Sequence, residues 1–129
     1  MDKFDEVLKE MDFDFFGSGE HAISAPDAAR LYSEKKAFFL DVRTREETEQ
    51  ISFPRARNIP VNELPDNLNE LPADGLIIVM CSSIFRAALV YGYLRAKGFD
   101  AVKGLTGNME QMAAQLKPGP LYKRSTQNG

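Results

Sequence analysis

The segment "VMCSSIFRAALV" (79–90) holds the only cysteine of the chain, Cys81, and Arg86 follows it five positions later. A thiol and a permanent cation on one short loop are the ingredients of nucleophilic sulfur chemistry. The thiolate is the attacking species, and nearby positive charge favours it. An apolar run, "LIIVM" (76–80), leads into the cysteine, and "RAALVYGYLRAKG" (86–98) leaves it with Ala87, Val90, Tyr91 and Leu94 at helical spacing. Strand, cysteine, loop and helix in that order set the sulfur before a helix N-terminus, where free N–H groups favour an anion. The N–H groups of residues 82–86 are expected to form the cradle. The hydroxyls of Ser82 and Ser83 are expected to add hydrogen bonds, with Ile84 exposed and Phe85 buried. The opposite reading is packing, because free cysteine is among the most buried residue types and a buried thiol is inert.

The elements that position this loop alternate along the chain. "AFFLDV" (37–42), "ARNIPV" (stopped at Pro60), "LIIVM" and "AVKGL" read as strands. "SAPDAARLYSEK" reads as a helix capped by Ser24 with Pro26 and Asp27 in its first turn, and "GNMEQMAAQL" as a last helix ended by "KPGP". "TREETEQ" is a short polar helix or loop, and "NELPDNLNEL" a broken helical stretch. Phe4, Val7, Leu8 and Met11 predict an amphipathic helix over 3–12, packed on the domain and broken by "GSG" at 17–19. Alternating strands and helices predict an α/β fold with a parallel sheet covered on both faces. Three segments are expected: an acidic helical extension (1–20), one domain (21–117) and a polar, flexible tail (118–129).

Ligands of parallel sheets bind beyond the strand C-termini. Asp41, Arg43, Lys103 and Thr106 fall at such ends and are candidates for the pocket rim. Asp41 and Arg43 have a second reading, in which they pair with backbone, Glu46 or Glu47 and fix a turn. Arg45, Arg55 and Arg57 read as a local basic cluster, either a solvated face or an anion-steering one. His21 reads as a surface or strand-edge residue.

Composition bounds the function. Residues 1–20 carry seven acids and two bases, net −5, so the remainder of a chain of net charge −3 is +2. That is faintly cationic, suited to a small anion and far from the basic stripe of a nucleic-acid binder. No apolar run approaches the roughly 20 residues of a membrane span, and the acidic start is unlike a signal peptide. A cytoplasmic protein without membrane or nucleic-acid partners is expected. One cysteine allows no internal disulfide, and one histidine beside it predicts no metal site and no cofactor.

Residues 21–116 resemble the rhodanese-like (sulfurtransferase) domain family in three parts. "FLDVRTREETEQISFPRARNIPVNEL" is similar to the family's first signature, "IIVMCSSIFRAA" to its active-site strand and loop, and "LRAKGFDAVKGLTGNMEQM" to its closing segment. The resemblance implies a three-layer α/β/α sandwich with a central parallel sheet. It implies that Cys81 carries a persulfide, with Ser82, Ser83, Ile84, Phe85 and Arg86 as the substrate-binding loop. It also implies a small sulfur-donor anion, polysulfide or persulfide as donor, and a thiol or a sulfur-carrier protein as acceptor. Cys81 and Arg86 have four residues between them; related phosphatases use five, so a phosphatase is the weaker alternative. A non-catalytic binding or sulfide-sensing module is the other. Departures bear on the substrate. Ser82 stands where thiosulfate-active members often carry Arg or Lys, Ile84 where glycine is common, and Ala87 where Ser or Thr often follows the arginine. Ile51-Ser52-Phe53 replaces Gly-His-Ile, and Gly107-Asn108 replaces a Gly-Gly pair. With one loop cation, a thiosulfate dianion is expected to be held less well.

Overall fold

The computed structural model describes residues 2–128. Short apolar runs bounded by turn residues favour strands buried on both faces, and the predicted runs supply four of the five strands. These are β1 (Ala22–Ile23), β2 (Phe38–Asp41), β3 (Ala56–Asn58), β4 (Ile77–Met80) and β5 (Val102–Leu105). They form one sheet in the order β1-β5-β4-β2-β3, and every pairing is parallel. The two-residue β1, held at the edge by its register with Gly104 and Leu105, is too short to leave a sequence signal.

The helices are α1 (Lys3–Glu10), α2 (Phe13–Ser18), α3 (Ala25–Glu34), α4 (Arg45–Gln50), α5 (Ile84–Ala96), α6 (Met109–Ala114) and α7 (Pro118–Asn128). Side chains alternate across the central strand β4. Ile77 and Val79, with Cys81 continuing the alternation, pack with Val90, Tyr91 and Leu94 of α5. Ile78 and Met80 pack on the other side with Ala28 and Ala29 of α3 and Met109 and Met112 of α6. The result is the expected three-layer α/β/α sandwich with a central parallel sheet. α1 lies across α5 and buries Val7.

Four local differences have identifiable causes. α5 begins at Ile84, two residues before the expected start, because Ser83 already holds the extended backbone of an N-cap (φ −142°, ψ 167°). Asp12 caps a separate α2 by accepting a hydrogen bond from the Phe15 N–H. Gly17 and Ser18 therefore lie inside a helix, and the break comes at Gly19 in the left-handed region (φ 71°). The polar tail is helical: Pro118 sits at the first position of α7, where its missing N–H has no partner to lose, and Arg124 donates back to the Gln115 carbonyl at 2.7 Å. The basic cluster does not form, since Arg45 pairs with Glu63, Arg57 with Glu70, and Arg55 donates to the Tyr32 and Ser33 carbonyls. Among the described residues, no helix is long and apolar enough to cross a membrane.

Candidate active site

Cys81 is the first residue beyond β4, the central strand, and is 2% exposed. Its Sγ accepts a hydrogen bond from the Ala87 N–H at 3.3 Å. This donor lies one residue beyond the segment expected to form the cradle. The early start of α5 explains it: the loop shrinks to Ser82 and Ser83, and the first turn of the helix folds over the sulfur. Ser83 caps α5 without a side-chain hydrogen bond, so the first-turn N–H groups receive no capping oxygen from it. Such groups carry the partial positive charge that attracts an anion.

Arg86 does not stand free beside the sulfur. Its guanidinium grips the Glu47 carboxylate with both arms, Nη1 to Oε1 at 2.6 Å and Nη2 to Oε2 at 3.0 Å. Ser82 donates its hydroxyl to Glu47 Oε2 at 3.1 Å and also contacts Arg86 Nη2. Glu47 is held from behind as well. It is the third residue of α4 in a capping box with Thr44, whose N–H and Oγ1 donate to Glu47 Oε1 at 3.1 and 3.0 Å. The Arg86 guanidinium, helped by the Thr44 and Ser82 donors, holds the Glu47 carboxyl well below the usual carboxylate range. Glu47 in turn raises the Arg86 pKa, against the opposing effect of burial.

Glu47 is the site residue that reading the sequence missed. It was expected only as a partner for Asp41 or Arg43. A signal was present in the capping-box pattern Thr44-x-x-Glu47 directly after a strand end adjacent to Cys81. Arg43 pairs instead with Asp41, Nη2 to Oδ2 at 2.8 Å, and donates to the Ile51 carbonyl at 2.8 Å. Both residues are buried, 2% and 4% exposed. Asn58 ties the same turn by donating to the carbonyls of Asp41 and Arg43. The pair therefore fixes the strand end from inside and does not present charge at a rim.

The remaining candidates scatter. Ile84 is 57% and Phe85 74% exposed. The expected burial of Phe85 is corrected by the helix phase: α5 buries Ala87, Val90, Tyr91 and Leu94, and residue 85 lies on the opposite side. Phe85 and Leu89, one turn apart, are both exposed. Lys103 donates to the Glu20 carbonyl; its register partner Ile78 packs on the face opposite Cys81. Thr106 donates to the Ile23 carbonyl at 3.2 Å and lines a cavity beside α5. His21 lines the same cavity just before β1. Among the described residues no group of His, Cys, Asp or Glu is placed to hold a metal ion.

Comparison with known proteins places this geometry. The model of the rhodanese-like domain matches residues 24–115. The chain is 29% identical over 80 residues to a sulfurtransferase of Allochromatium vinosum, covering 62% of this chain and 75% of that one. It is 28% identical over 121 residues to the adenylyltransferase and sulfurtransferase MOCS3 of Arabidopsis thaliana, covering 80% of this chain but only 26% of that longer protein. The crystal structure of a rhodanese-like domain protein from Staphylococcus aureus superposes with a TM-score of 0.65 at 33% identity, covering 70% of this chain and 89% of that one.

Proposed function

The chain belongs to the rhodanese-like domain family, and from that premise we propose that it moves sulfane sulfur through a persulfide on Cys81. The Cys81 thiolate attacks the outer sulfur of a donor. With thiosulfate, the Sγ–S bond forms as the donor S–S bond breaks, and the electron pair leaves with sulfite. A thiolate acceptor then attacks the outer sulfur of the persulfide. A new S–S bond forms on the acceptor, the Sγ–S bond breaks, and its pair returns to Sγ. No external oxidant or reductant is needed.

The observation that carries this reading is the Ala87 N–H directed at Sγ from the first turn of α5. The outer sulfur of a persulfide would sit one bond further along, towards N–H groups that Ser83 leaves uncapped. The donor follows from the surroundings. Arg86, the loop's single cation, is already neutralised by Glu47, which disfavours a dianion. The exposed Ile84 and Phe85 suit a polysulfide or a protein-bound persulfide. A thiol, free or on a sulfur-carrier protein, is the acceptor; the single cysteine leaves no internal thiol to discharge Cys81.

Intact-mass spectrometry tests the proposal. Incubation with thiosulfate and, separately, with inorganic polysulfide is expected to add one sulfur, lost in Cys81→Ser. No addition from either donor to the folded protein would refute it. The near-complete burial of Cys81 favours a second reading, a binding or sensing module with little turnover. Steady sulfur transfer to cyanide or a dithiol, abolished in Cys81→Ser, would exclude that reading.

A further inference from the structure

A cavity of about 220 Å³ lies between α2, α5 and the ends of β1 and β5. Its walls include the rings of Phe15, Phe16, His21 and Tyr91 and, from the sulfur loop, Ile84 and Ala87. No carboxylate, lysine or arginine is among its lining residues. The Thr106 hydroxyl is already committed to the Ile23 carbonyl. One buried polar atom is left over: His21 Nδ1 has no hydrogen-bond partner among the described residues. The imidazole is held in place by Phe15, stacked at 4.7 Å, and by the edge of Phe16 at 5.6 Å. Phe15 and Phe16 lie outside residues 24–115, which the family model matches.

The cavity reaches the sulfur loop through Ile84 and Ala87, and Cys81 lies behind this wall, not in it. Ala87 lines the cavity and also supplies the N–H that reaches Cys81 Sγ. Arg86 turns to Glu47 and is absent from the lining. The Cys81 loop thus has a charged side and an apolar side. A dianion on the apolar side would lose its hydration and find no cation. A resident water needs two to four polar partners, and the lining is predominantly apolar.

We infer that the cavity holds the uncharged apolar body of the thiol that exchanges sulfur with Cys81, an inference that rests on the persulfide reading above. The volume suits one aromatic ring or a short branched alkyl group. The ligand class is therefore an aryl-alkyl or alkyl thiol, not a charged one.

Two measurements on the full chain test this. Titration of the isotope-labelled protein with ethylbenzene, an unreactive probe, is expected to give saturable amide shifts at His21, Ala22, Ala88 and Gly104. Ala88 is exposed, so Ala88→Trp can fill the cavity without disturbing the core, and it is expected to weaken the probe about tenfold or more. Phe16→Ser, which removes a wall from an exposed position, is expected to do the same. Absent shifts, shifts confined to Phe85 and Leu89, or affinity unchanged in both variants would overturn the inference. So would shifts that appear with protein concentration alone, since a second copy would then cover the site. In the second measurement, Cys81 is loaded with sulfur and discharged by phenylmethanethiol or 2-mercaptoethanol. The aromatic thiol is expected to react about tenfold faster at equal thiolate concentration; equal rates would overturn the inference. Sulfur uptake is read separately by mass, so its failure would refute the persulfide reading while the probe titration still reports on the cavity.

Discussion

Replacing Glu47 with Gln is expected to improve the site for thiosulfate. In the native protein the Glu47 carboxylate meets Arg86 Nη1 and Nη2 at 2.6 and 3.0 Å and Ser82 Oγ at 3.1 Å. An incoming anion must share this cation and also approach a negative charge. At a separation of about 4 Å, one unit charge acts on another with about 1 kcal/mol in water and about 4 kcal/mol at the effective dielectric near a protein surface. The side chains of Arg86 and Glu47 are 25% and 32% exposed, so solvent screening brings the effect towards the lower figure, about 1–2 kcal/mol. That corresponds to about a 5- to 30-fold gain in the second-order rate of sulfur uptake from thiosulfate. Gln retains an oxygen to accept from Thr44 and from Arg86, so the capping box is preserved. The assay is Cys81 persulfide formation by intact mass under pseudo-first-order thiosulfate, at two ionic strengths. The gain should shrink at high salt. A rate in Glu47→Gln equal to or below wild type, with the variant still unfolding cooperatively well above the assay temperature, would refute the argument that Glu47 neutralises the loop.

The same carboxyl has a stability signature. Its pKa is depressed in the folded state, so its contribution is complete above the unfolded pKa of about 4.5 and is lost as pH falls towards the folded value; Glu47→Gln should lose less stability than wild type on acidification below about pH 4.5, read by denaturant unfolding. Ser82→Arg adds a second loop cation at an exposed position and is expected to raise thiosulfate uptake about two- to fivefold, read by the same mass assay. Arg43→Met leaves the Asp41 carboxylate buried without its partner and should cost about 3–5 kcal/mol of unfolding free energy, measured by urea titration. Leu40→Ala opens a cavity at a fully buried strand position and should cost about 2–5 kcal/mol, by the same titration.

The architecture was legible because burial writes itself into runs. "FFLD" and "IIVM" are continuous apolar strands closed by a polar residue or the cysteine, and Ala87, Val90, Tyr91 and Leu94 mark one helical stripe. Cys81 was legible because its position at a strand end before a helix is a local pattern. The Glu47–Arg86 contact was not. It joins residues 39 apart in sequence, and Glu47 has a nearer cation in Arg43, with which the sequence reading pairs it. Phe85 was misplaced for a different reason. With α5 starting at Ile84, Phe85 belongs to the helix and lies two residues, about 200°, from the buried Ala87. The walls of the cavity were hidden because α2 contains Gly17, which reads as a break, although Asp12 caps the helix.

Thr44 holds the Glu47 carboxylate from the side away from the loop. The carboxylate is therefore anchored, not hinged: swinging it off Arg86 would also undo the cap of α4. An arriving anion meets a fixed counter-charge and must bind alongside it. The polarity of the sulfur site is thus a set point written into the first turn of α4.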